Sequence, residues 1–101
     1  MVTKEQVIEQ LKQVFDPHIG VDIYSLGLIY EVKIDNNNVE IEMTLTNPGC
    51  PMAKSIMGEA KKSVSSLKDI ERVDINLVFD PPWTVDMMSD ELKKRWNIHA
   101  D

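Results

Sequence analysis

The stretch VEIEMTLTNPGCPMAKSIMGEAKKSVSSLKDIERVDINLVF, residues 39–79 of a 101-residue chain, changes its hydrophobic period twice. Val39, Ile41, Met43 and Leu45 alternate with Glu40, Glu42, Thr44 and Thr46, which predicts a strand with one buried face. Asn47-Pro48-Gly49-Cys50-Pro51 then breaks the strand. Pro51 suits the first position of a helix, where its missing N–H costs nothing. Met52, Ile56, Ala60, Val64 and Leu67 mark a helical stripe for the core, while Lys54, Glu59, Lys61, Lys62 and Ser65 fall on the solvated side. From Val73 to Phe79 the period returns to two. A strand–helix–strand unit of this kind is a right-handed crossover, so its two strands should be parallel.

Upstream, Leu28 to Ile34 reads as another strand, with Tyr30, Val32 and Ile34 on one face and Glu31 and Lys33 on the other. Asp35-Asn36-Asn37-Asn38 supplies turn residues that tolerate left-handed backbone angles, which predicts a hairpin. The chain opens with an amphipathic helix. Thr3 and Gln6 form a capping-box pattern, and Val7, Ile8, Leu11, Val14 and Phe15 make its apolar face. Asp16-Pro17 should stop it. Residues 16–27 form a loop with room for a helical turn near Val21 to Leu26. After the third strand, Asp80-Pro81-Pro82-Trp83 is a rigid break. Ser89 is a cap for a final short helix, Asp90 to Trp96. The order α-β-β-α-β-α predicts a two-layer α+β domain, residues 1–101, with helices on one face of a three-stranded mixed sheet. Alternation alone leaves the middle strand open.

Composition narrows the function. Eleven Lys and Arg against seventeen Asp and Glu give a formal net charge of −6. Phosphate backbones and anionic bilayers call for the opposite sign, so neither nucleic acid nor membrane is an expected partner. The first residues lack the apolar core of a signal peptide, and a cytoplasmic location is expected. Cys50 is the single cysteine, which leaves no intramolecular disulfide and no self-sufficient four-cysteine metal site. A domain this small buries about two-thirds of its unfolded surface, so chemistry should sit on loops or between subunits.

Cys50 has the most informative setting. Next to Pro51 it adjoins the start of a helix, where the dipole and unpaired N–H groups stabilise a thiolate. Gly49 permits close approach of the backbone. The alternative is an inert, buried small side chain. Asp16, His18 and Asp22 share one loop and carry metal-ligand or acid–base chemistry, or simply shape a turn and meet solvent. Thr46 could cap the cysteine loop or orient a ligand, or be an ordinary strand-end residue. Thr44 shares its face and suits a half-exposed position. Trp83 is either a partner-binding anchor or a lid on the sheet edge. Met87 and Met88 either extend its patch or pack the last helix. Phosphate-binding, zinc-protease and serine-hydrolase motifs are absent from the sequence.

Three segments together resemble one family. Asp16-Pro17 with Asp22-Ile23-Tyr24-Ser25-Leu26-Gly27-Leu28-Ile29-Tyr30 is similar to DPE…DIxxLGLVY. Thr44 to Pro51 is similar to TLTxxxCP, and Asp80-Pro81-Pro82-Trp83 with Met87-Met88-Ser89 to DPPWxxxxMS. In this order they resemble the SufT/PaaD-like family of small iron–sulfur cluster assembly domains. The resemblance implies an accessory role in maturing iron–sulfur proteins, without enzymatic turnover. Its partners would be assembly proteins and apo client enzymes. Cys50 matches the family cysteine, Asp16 and Asp22 its acidic loop, and Thr46 its threonine. His18 stands where many members have Glu, and the chain reads as a bare domain without the N-terminal extension some members carry.

One cysteine cannot hold a conventional cluster. Any iron or cluster is therefore expected to be transient or shared, with further ligands from a second copy, a partner, or nearby Asp and His groups. A small domain with a one-sided sheet is compatible with a homodimer. Three functions follow: an assembly factor acting through Cys50, an adaptor docking clients through residues 80–88, and a thiol enzyme with Cys50 as nucleophile and His18 as base.

Overall fold

The computed structural model describes residues 2–17, 19–46 and 52–95. Seven elements follow one another: α1 (Lys4–Leu11), β1 (Ile29–Asp35), β2 (Asn38–Met43), α2 (Ala53–Ser65), β3 (Arg72–Leu77), a 3₁₀ turn (Val85–Met87) and α3 (Asp90–Arg95). The expected order is present, with the 3₁₀ turn added. The sheet runs β1-β2-β3, so β2 is the middle strand. β1 is antiparallel to it and β3 parallel.

The middle position explains the burial. Val39, Ile41 and Met43 of β2 have neighbours on both sides and are buried, whereas Val32 and Ile34 on β1 and Ile75 and Leu77 on β3 are only half-buried. In register, Val32 lies opposite Ile41 and Ile34 opposite Val39; Val39 pairs with Val73 and Ile41 with Ile75. Each fully buried Leu or Ile contributes roughly 1.5–3 kcal/mol. Helix α1 meets β1, α2 meets β3, and the two helices meet each other. A hydroxyl seals their contact: Ser63 Oγ donates to the Gln10 carbonyl at 3.0 Å. The opposite face keeps Glu31, Lys33, Glu40 and Asn76 exposed.

Local signals account for most boundaries. The capping box on α1 is complete: Gln6 N–H donates to Thr3 Oγ1 at 3.2 Å, and Thr3 N–H to Gln6 Oε1 at 2.9 Å. Asn36 takes the left-handed φ of 56° in the hairpin turn. Ser89 Oγ accepts from Leu92 N–H at 3.2 Å and caps α3. In α2 the middle of the predicted stripe, Ile56, Ala60 and Val64, is buried, while its ends, Met52 and Leu67, are half-buried.

Four expectations are corrected. Helix α1 ends at Leu11 and not near Phe15, because Phe15 pairs with Asp22 in an isolated bridge and is 56% exposed. The alternation on β1 breaks at a bulge between Ile29 and Glu31, so Tyr30 leaves the series of Val32 and Ile34. Phe79 lies beyond the end of β3 and is 40% exposed. Thr44, expected to be half-exposed, is fully buried at 0%. It follows the middle strand directly, with Leu28 on one side and Val78 beyond Met43 on the other.

Candidate functional site

One end of the sheet gathers the three motif segments. Thr44 N–H, just past β2, donates to the Leu28 carbonyl at 2.8 Å; Leu28 N–H donates to Ile23, and Ile23 N–H to Val14. This chain of bonds ties the exit of β2 to the acidic loop that follows α1. Val78 N–H donates to the Met43 carbonyl at 2.8 Å and brings the segment after β3 to the same end. Trp83 Nε1 donates to the Leu26 carbonyl at 2.6 Å, and Ser89 N–H to Ser25 at 2.8 Å. Residues far apart in sequence thus border the exit of β2, where the chain enters residues 47–51.

The acidic loop is tightly built. Asp16 N–H donates to the Val21 carbonyl, while the Asp16 carbonyl accepts from Ile19 and Gly20. Gly20 takes φ +77°, open to glycine without strain. Asp16 is 2% exposed, one of two buried polar residues among those described. Asp22 Oδ2 accepts from Ser25 N–H at 2.8 Å, so this carboxylate caps the turn over residues 22–27. Leu26 N–H closes that turn on Asp22 at 3.1 Å, the helical turn anticipated near Val21 to Leu26. Among the described residues no three His, Cys, Asp or Glu side chains gather to hold a metal ion. Asp16 and Asp22 alone do not form one.

Cys50, Gly49 and His18 lie outside the described residues. Thr46 is half-buried and directly precedes residues 47–51 in the chain; α2 starts at Ala53. Thr44 was expected to be a half-exposed strand residue and was not among the candidate site residues. Its Oγ1 is buried with no hydrogen-bond partner among the described residues. A threonine in an alternating strand carries no sequence sign of this.

The segment after β3 separates its two methionines. Met88 is 5% exposed and belongs to the core, which is the packing alternative for that residue. Met87 is half-buried beside Tyr30, whose hydroxyl donates to the Pro81 carbonyl at 2.6 Å and lies 3.4 Å from Met87 Sδ. Trp83 is half-buried and fixed through its indole N–H. A shallow, mainly apolar groove runs between Gly27, Ile29, Tyr30, Pro81 and Met87, with the carboxylates of Glu42 and Asp80 also lining it. Phe79 (40% exposed) and Val85 (45%) are the exposed hydrophobics of this segment, and neither was singled out from sequence as a site residue. Gly27 makes the close approach of the 3₁₀ turn feasible. At φ +82° a Cβ there would fall 2.6 Å from the Met87 carbonyl carbon.

A Fe-S protein maturation auxiliary factor of Bacillus subtilis, YitW, is 45% identical over 87 residues, covering 85% of each chain. The Fe-S protein maturation auxiliary factor SufT of Staphylococcus aureus is 44% identical over 77 residues, 75% of this chain and 88% of that one. The crystal structure of a domain of unknown function from Bacillus anthracis superposes with a TM-score of 0.89 at 40% identity, over 95% of this chain and 92% of the other. The family model for iron–sulfur cluster assembly proteins matches residues 4–77, from the first turn of α1 to the end of β3, and the chain belongs to that family.

Proposed function

We propose that this protein is an accessory factor in iron–sulfur protein maturation, acting through Cys50 on a cluster or iron in transit. The observation that carries the reading is the convergence of three motif segments on the exit of β2, where the chain leads into the cysteine segment. The relatives named as maturation auxiliary factors support it. Thr46 follows that exit in the chain, and Asp16, His18 and Asp22 belong to the loop that the Leu28, Ile23 and Val14 backbone bonds tie to it. One thiol cannot retain a cluster, so the cargo is held jointly with an assembly protein or apo client and passed on. The domain works in the cytoplasm and turns over no substrate of its own. No described helix is long and apolar enough to cross a membrane.

The test is complementation. In cells lacking the protein, wild type and Cys50→Ala are expressed at equal abundance and several iron–sulfur enzymes are assayed. Wild type should restore their activities and Cys50→Ala should not. Equal restoration by both would remove the thiol from the mechanism.

A second reading is an adaptor that docks clients through residues 80–88 without thiol chemistry. The apolar groove at Ile29, Tyr30, Pro81 and Met87 favours it, with Phe79 and Val85 exposed in the same segment. Under that reading Phe79→Ser and Val85→Ser lose client maturation and Cys50→Ala does not.

A further inference from the structure

The two edges of the sheet are finished differently. On β1, the bulge at Tyr30 interrupts the ladder, Tyr30 is tied to Pro81, and Lys33 stands exposed on the strand. Bulges and edge lysines are devices that discourage pairing with another strand. β3 has none of them. Arg-Val-Asp-Ile-Asn-Leu contains no Lys, Pro or Gly, its register with β2 is unbroken over six residues, and no further strand among the described residues lies beyond it. Its charges cancel locally, since Arg72 Nε lies 2.9 Å from Asp74 Oδ2. Ile75 and Leu77 are left half-buried for want of a neighbour. Beside the strand, Met57, Gly58 and the exposed Lys61 of α2 border a shallow, mainly polar depression with Ile75. A Cβ at Gly58 would meet nothing within 4 Å, so this flank has room for a neighbour.

We propose that the β3 edge is a two-fold contact with a second copy of this chain, joining two sheets into one of six strands. A two-fold axis perpendicular to the sheet pairs β3 with itself antiparallel, the same face up, and its centre must fall on a residue. Centres on Asp74 and Ile75 give the longest overlap of the strand. A centre on Asp74 sets two carboxylates directly opposite each other, which is destabilising. Centring on Ile75 removes the clash: Ile75 faces its own mate, Val73 faces Leu77, and Asp74 faces Asn76, a carboxylate against an amide donor. The half-buried side chains gain apolar neighbours, and no like charges meet. Moving the register by one residue would turn the apolar series to the wrong face. In this dimer the C-terminal ends of the two β2 strands lie at opposite ends of the paired edge. The segments leading to the two cysteines therefore do not meet, and each copy presents its own site to other proteins.

Sedimentation velocity on the whole chain tests the contact, from about 10 μM to about 1 mM, the range suited to a small interface. Wild type should shift from monomer to dimer. Asn76→Asp, on the exposed face of β3, sets a carboxylate directly opposite Asp74 of the other copy and should weaken the dimer at least tenfold with the fold retained. Ile75→Thr keeps a β-branched residue and should weaken it several-fold. In NMR of a mixed labelled and unlabelled sample, contacts between copies should appear at Val73, Ile75 and Leu77. A wild-type monomer throughout the range overturns the proposal. So does a dimer indifferent to Asn76→Asp, or contacts between copies confined to another surface.

Discussion

Replacing Thr44 with Val should stabilise the protein. The side chain is fully buried and its Oγ1 has no hydrogen-bond partner among the described residues. Leaving a buried hydroxyl unpaired costs about 1–3 kcal/mol. Valine keeps the branched shape and replaces the oxygen with a methyl group, recovering that cost and adding apolar burial of about 0.8 kcal/mol. Crowding by the slightly larger methyl offsets up to about 1 kcal/mol. The net expectation is a gain of roughly 1–4 kcal/mol. For a domain of this length that raises Tm by about 5–20 °C. Urea and thermal unfolding followed by circular dichroism measure it, with an unchanged m-value as the sign that both end states are preserved. A Tm equal to or below wild type would refute the reasoning, because it would mean the hydroxyl makes a favourable bond in the folded protein. Iron–sulfur enzyme maturation assayed on the same variant separates packing from function. A more stable protein with lower maturation activity assigns the hydroxyl to the cargo or its loop, and Thr44→Ser should then restore activity.

Gly27→Ala should cost about 2–4 kcal/mol, since the position combines a left-handed φ with a steric block at the Met87 carbonyl; chemical denaturation gives the loss, and a red-shifted Trp83 emission should accompany it. Trp83→Phe keeps an aromatic ring but leaves the Leu26 carbonyl without its indole donor, so stability should fall by about 1–2 kcal/mol in urea unfolding. Thr3→Ala removes the side-chain half of the capping box on α1, and a loss of about 1 kcal/mol is expected in the same assay.

Elements whose cause is local were legible in the sequence. The α1 cap, the asparagine turn, the buried stripe of α2 and the Ser89 cap each depend on residues within a turn or two of one another, and each is where the pattern placed it. The ends of elements were less legible. Phe15 continues the helical spacing of α1, yet the chain has already left the helix because Phe15 is held against Asp22 by a bridge that residue spacing does not encode. The acidic loop was recognised as a unit, but spacing does not show that Asp22 caps the Ser25 turn or that Asp16 is buried. The two adjacent methionines look alike in sequence. One fills the core and the other borders a groove, because the 3₁₀ turn ends between them.

Hydrophobic period and turn chemistry by themselves determined the order of elements and the parallel crossover, since these follow from short-range sterics. Tertiary structure alone decided that β2 is the middle strand, that Thr44 is enclosed, and that residues around 16–28, 44–46 and 78–89 meet at one end of the sheet. Those outcomes rest on hydrogen bonds between segments tens of residues apart, such as Trp83 to Leu26 and Val78 to Met43. Periodicity describes which way a side chain faces within its own element, and carries no information about which other element it will meet.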